Sequence, residues 1–206
     1  GARTTQEPLP TSSGIGEKSS SCARATTPPF LHDKAAGVSG ISQCVDSVFT
    51  FIKQQDPDII CLQEFSVGSK EKVRDYLNRK FKGYTAEYYL FPEKNRSFGN
   101  VTLSRLPVDG KGKIKFEESA NLAIYTDHTY GDRSFRVYNC HFESYNISLA
   151  GLVRAVAKRD STVMAETGTK MKRSITRRPK QVDRVFDDIE NCPLDAFVCA
   201  VKSYTF

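Results

Sequence analysis

No apolar run in this 206-residue chain approaches the ~20 residues of a membrane-spanning helix. The N-terminus has no apolar h-region, so a secretory leader is not expected. No two cysteines stand in C-x-x-C spacing, which argues against a zinc site. The six cysteines could form three disulfides, but Cys61, Cys140 and Cys199 each fall in an apolar run that reads as a strand. Buried reduced thiols, and with them a cytoplasmic location, are the expectation. Internal repeats are absent. Residues 1–40 have no apolar periodicity, and twenty of those forty are Gly, Pro, Ser or Thr. Such a composition buries too little surface to offset chain entropy, so a disordered or loosely held tail is expected over 1–40.

What is present suits one domain over 41–206. A chain of this length buries roughly 70% of its unfolded surface and needs no covalent staples. Thirty Lys+Arg against 24 Asp+Glu leave a net charge of +6, which suits an anionic or phosphate-bearing partner. Ile41, Cys44, Val45, Val48, Phe49 and Ile52 recur at helical spacing, and Pro57 closes that helix. Ile59 to Leu62, apolar on both faces, reads as a short central strand. The spacing predicts a second helix capped by Ser69, with Val73, Tyr76, Leu77 and Phe81 inward and Gly83 at its end. Strands follow near 84–91, from Gly99 to Pro107, and near 112–117, 120–126 and 134–142; Tyr130-Gly131-Asp132 turns the chain before the last. Consecutive strands at this spacing argue for antiparallel neighbours. Residues 143–180 read as a weakly periodic, solvated insertion. Pro179 then opens a final helix, and Ala196 to Cys199 forms a last strand.

Two strand ends carry chemistry. In "RVYNCHFES" the alternation puts Phe135, Val137, Asn139 and His141 on one face, apolar at the start and hydrogen-bonding at the exit. A histidine at such an exit can transfer protons or hold a phosphate oxygen, or can simply cap the strand on a backbone carbonyl. "DIICLQE" has the same character and ends on Glu64. That hard oxygen suits magnesium, which takes one or two carboxylates and keeps water and phosphate elsewhere; an ion pair with a neighbouring Lys or Arg is the plainer alternative.

Together, "DIICLQE", "GNVTLSRLPV" and "VYNCHFES", in this order and followed by a helix and an apolar strand, resemble the endonuclease/exonuclease/phosphatase superfamily. The resemblance covers about 41–206. It implies a four-layer α/β/β/α sandwich of mixed, mainly antiparallel sheets. It also implies a metal-dependent phosphodiesterase or phosphatase in which activated water cleaves a phosphoester, with Mg2+ (or Mn2+) as cofactor. By the same resemblance Glu64 is the metal ligand, His141 contacts the scissile phosphate, Asn139 is its catalytic companion, and Asn100 binds substrate near the cleft. Nucleic acid is one substrate the family takes.

Three departures from the family pattern set further expectations. Residues 1–40 contain no asparagine and no convincing strand, where the family places a first strand with a metal-site asparagine. After "DAFVC" the chain reads Ala200-Val201-Lys202-Ser203 in place of Gly-Asp-x-Asn, and no terminal Asp-His follows. A domain incomplete at both ends, lacking terminal strands, is the resulting expectation. Ten Lys/Arg against three Asp/Glu over 154–184 support an alternative reading: a non-catalytic module for nucleic acid or anionic lipid.

Overall fold

A computed structural model of the chain describes residues 22–26, 38–68, 70–92, 95–117, 119, 121–144 and 147–201. Two four-stranded sheets face each other. The first contains β1 (Cys22–Thr26), β2 (Ile59–Gly68), β3 (Thr85–Pro92) and β4 (Arg96–Ser104) in the order β1-β2-β4-β3. The second contains β5 (Gly110–Lys115), β6 (Leu122–Tyr130), β7 (Arg133–His141) and β8 (Asp195–Val201) in sequence order. Among the described residues, β1–β2 and β7–β8 pair in parallel and the other four ladders are antiparallel. Helices α1 (Val38–Gln54) and α2 (Val73–Lys80) cover the first sheet. The second is covered by α4 (Ser161–Glu190), which follows the short α3 (Leu149–Ala157). This is the four-layer α/β/β/α sandwich, and no helix of the described residues is long and apolar enough to cross a membrane.

Strand alternation sorts the side chains into three apolar clusters. Ile60 and Leu62 of β2 join Phe49 and Ile52 of α1 and Leu77 of α2 outside the first sheet. Tyr138 and Cys140 of β7 meet Val185 of α4 outside the second. Between the sheets, Ile59 and Cys61 pack on Phe135, Val137 and Cys199. Burial is near complete for these residues. Each, left exposed, would forfeit roughly 1.5–3 kcal/mol of hydrophobic stabilisation. Cys61, Cys140 and Cys199 are buried thiols, as expected, and burial pushes the Cys140 thiol up to about 12.

Several elements differ from the sequence reading. Cys22–Thr26 is a strand in parallel register with β2, inside the stretch read as a loose tail. Its cause is tertiary: five residues of mixed composition gain a ladder partner in the edge of β2. Helix α1 begins at Val38 rather than Ile41, and α2 starts at Val73 on Lys72, which makes no side-chain cap. The expected cap Ser69 and the residues Lys202 and Ser203 lie outside the described residues.

The largest correction concerns 143–180. This stretch is helical in α3 and α4, and Pro179 sits inside α4 instead of opening a helix. An interior proline removes one helical hydrogen bond and crowds the preceding turn, at about 3 kcal/mol. Tertiary bonds gather on the same turns. Ser174 Oγ donates to Ser144 O at 2.5 Å, and Arg178 Nε and Nη2 donate to Glu143 O at 2.8 and 2.6 Å. Gln181 Oε1 accepts the Glu143 N–H at 2.7 Å. These partners come from the segment after β7, so local sequence preference could not reveal them.

Candidate active site

The site is built by a defect in β2. Leu62 pairs with Val101 and Phe65 with Gly99, so Gln63 and Glu64 together stand opposite Asn100 alone. This is a β-bulge, and Glu64 takes the left-handed conformation with φ of 54°. The extra residue inverts the alternation: Ile60 and Leu62 face the helices before it, and Phe65 and Val67 face them after it. An unbroken strand would have sent Glu64 to that helix-packed face with Leu62. Instead its carboxylate meets the inward-facing histidine of β7: Glu64 Oε1 lies 3.0 Å from His141 Nε2. The glutamate side chain is 27% exposed and the histidine 10%, so the pair opens to solvent on the carboxylate side.

Beneath the pair lies a buried amide network. Gln63 Nε2 donates to Asn139 Oδ1 at 2.6 Å, and Asn139 Nδ2 donates to Val101 O at 2.9 Å and Leu62 O at 3.3 Å. Asn100 Nδ2 donates to Leu122 O at 3.1 Å and Asn139 O at 3.0 Å. All three amides are fully buried. Asn139, expected beside the histidine as a catalytic companion, is therefore committed to stitching β7 to β2 and β4. Asn100, expected to touch substrate, is likewise enclosed, and its amide ties β4 to β6 and β7. Its Oδ1 has no hydrogen-bond partner among the described residues. Gly99 beside it has a packing reason: a Cβ there would stand 2.1 Å from the Tyr89 carbonyl oxygen on β3.

Sequence reading missed a second carboxylate near the histidine. Glu143, two residues past His141 and nearly buried, accepts from Ser119 Oγ at 3.1 Å and pairs with Arg173 Nε at 3.1 Å. Its signal was faint, a lone acid in "HFES" with no periodic context. His128 is a fully buried member of β6. Its Nδ1–H donates to Pro107 O at 2.9 Å, and Nε2 accepts from Thr126 Oγ1 at 2.8 Å. Burial holds its pKa below the usual histidine value, against smaller opposing effects of the Pro107 bond and of Asp109 and Asp127.

For a divalent cation, the donor set is lean. Among the described residues no three His, Cys, Asp or Glu side chains gather into a cage. Glu64 offers one hard carboxylate at an open position, which fits magnesium's habit of taking one or two carboxylates and keeping water and phosphate for the rest.

The fold is thus a two-sheet sandwich in which a carboxylate at a bulge of one sheet meets a histidine at the end of a strand of the other. The chain belongs to the Endonuclease/Exonuclease/phosphatase family, which residues 39–196 match. Among solved structures it is similar to D. rerio TDP2 humanized by 14 mutations, with a TM-score of 0.55 at 14% identity. That match covers 86% of this chain and 58% of the other, so the chain spans under two thirds of that relative's length. It is also similar to the human Nocturnin catalytic domain with bound sulfate, with a TM-score of 0.48 at 15% identity, covering 76% of this chain and 55% of that one. Truncated C. elegans TDP2 gives 0.46 at 18% identity, covering 82% and 57%. At 14% identity the likeness to the first of these is one of fold alone. No curated protein matches the chain by sequence.

Proposed function

We propose that this chain hydrolyses phosphoesters at the Glu64–His141 pair. The observation that carries the reading is the bulge, which holds a glutamate at positive φ so that its carboxylate reaches the histidine. A left-handed non-glycine residue costs about 1–2 kcal/mol, and that strain falls on the residue whose carboxylate meets the histidine. In this reading Glu64 supplies a single carboxylate to Mg2+ or Mn2+. When bound, such an ion polarises the phosphoryl oxygen and stabilises the leaving oxyanion. His141 donates its Nε2 proton to a phosphoryl oxygen, and Glu64 orients the ring until substrate arrives. Asn139 and Gln63 act as positioning residues, setting the separation of the two strand ends. Asn100 keeps β4 in register opposite the bulge. Cys61, Cys140 and Cys199, buried as thiols, support a reducing, cytoplasmic setting.

The test is turnover of bis(p-nitrophenyl) phosphate with Mg2+ or Mn2+, comparing the native chain with Glu64→Ala and His141→Ala. Each substitution is expected to lower the metal-dependent rate by about 100-fold or more. Metal-dependent turnover that survives Glu64→Ala unchanged, or no turnover with either metal, sinks the assignment.

A further inference from the structure

Helix α4 carries Lys170, Arg173, Arg177, Lys180 and Arg184 at spacings of three and four residues. Side chains so spaced lie one above another on one helical face. The row extends about 21 Å at 1.5 Å per residue. On the same face Glu166 and Asp187 bound it at either end. Four of the five cations are exposed and Arg177 is half-buried. The lower part of the row walls a groove of about 340 Å³ against β5, where Lys115 adds a sixth cation, with Glu117 and Asp183 also lining it. At its upper part, Arg173 pairs with Glu143, two residues past His141. The row therefore passes the site without belonging to it.

We infer that this face of α4 holds the phosphate backbone of a nucleic-acid strand. A straight line of like charges is unfavourable by itself and is relieved by a partner with charges repeated along a line. A membrane surface would need apolar side chains on the same face, to enter the lipid between the basic ones. The exposed large apolar residues of α4, Met164, Met171, Ile175 and Phe186, fall on the opposite side of the helix. No aromatic side chain of α4 joins the row, so recognition is by phosphates and independent of base sequence. The inference stands apart from the hydrolysis reading, since it needs neither Glu64 nor His141.

The experiment is fluorescence anisotropy of a labelled 20-nucleotide single strand in EDTA, titrated between 50 and 200 mM salt. Five contacts on a single strand predict an affinity loss of about 100-fold across that range. The variant K170E/K180E/R184E is expected to bind at least 10-fold more weakly at 50 mM, with the salt-dependent loss cut to less than about 10-fold. The control K72E/R74E/K82E makes the same charge change on the α2 side and is expected to bind as the native chain does. Equal losses in both variants would reduce the effect to net charge and overturn the proposal. So would no binding at 50 mM salt, or capture by phosphatidylserine vesicles in place of the oligonucleotide. Because EDTA removes any metal, a failure of hydrolysis leaves this result standing, and the reverse also holds.

Discussion

The seam between the two sheets is apolar at one end and polar at the other, although β2 and β7 build both. At the apolar end Ile59 and Cys61 meet Phe135, Val137 and Cys199. At the polar end Gln63 meets Asn139, and Glu64 meets His141. Apolar contacts are non-directional, so the first end needs only matched volume. Buried amides need every donor aimed, and an unmade bond costs about 1–3 kcal/mol. The polar end is thus a more exacting arrangement, and the cost of maintaining it makes sense where strand exits must be held at a set distance.

The sharpest break of this comparison is Asn139→Ala set against Val137→Ala, two residues apart on one face of β7. Asn139→Ala removes the acceptor of Gln63 and the donor to Leu62 O and Val101 O, and is expected to cost about 3–4 kcal/mol. Val137→Ala opens a small cavity and is expected to cost about 2 kcal/mol. Urea unfolding measures both, and a smaller loss for Asn139→Ala would show the network to be replaceable. A weaker effect belongs to His128 in β6. Its folded pKa is depressed by burial, so the unfolded chain binds the proton more readily. Stability from this group is full above the unfolded value of about 6.5 and falls as pH drops toward the folded value. Unfolding midpoints between pH 7 and 5 should therefore decline in the native chain and decline less in His128→Gln; parallel curves would contradict the assignment. The smallest effect is expected at the bulge: Glu64→Gly should raise stability by roughly 0.5–1 kcal/mol, because glycine adopts the left-handed conformation without strain. A destabilised Glu64→Gly would mean that the His141 contact outweighs the strain.

Much of the molecule was legible along the chain. The apolar runs at Ile59–Leu62 and 134–142, the Gly131 turn and the α1 face at Val45, Val48, Phe49 and Ile52 all sit where periodicity placed them. The expected site residues Glu64 and His141 do meet. Misreadings share one cause: the deciding partner was distant. Pro179 read as a helix start because the bonds from Glu143 and Ser144 that brace its turn lie more than thirty residues away. Cys22–Thr26 read as tail because its order comes from the edge of β2.

The order of apolar runs and the polar residues that follow them, written in the sequence, determined that β2 and β7 would be inner strands carrying a carboxylate and a histidine past their apolar starts. Alternation alone would have put Glu64 against the helices. Tertiary structure decided otherwise: the pairing with β4 over Phe65–Gly68 runs with a one-residue slip. That slip turns Phe65 and Val67 into the core and Glu64 toward His141. Burial of Phe65 and Val67 past the bulge, each worth roughly 1.5–3 kcal/mol, stands against about 1–2 kcal/mol of strain at one residue, and the site lies at that residue.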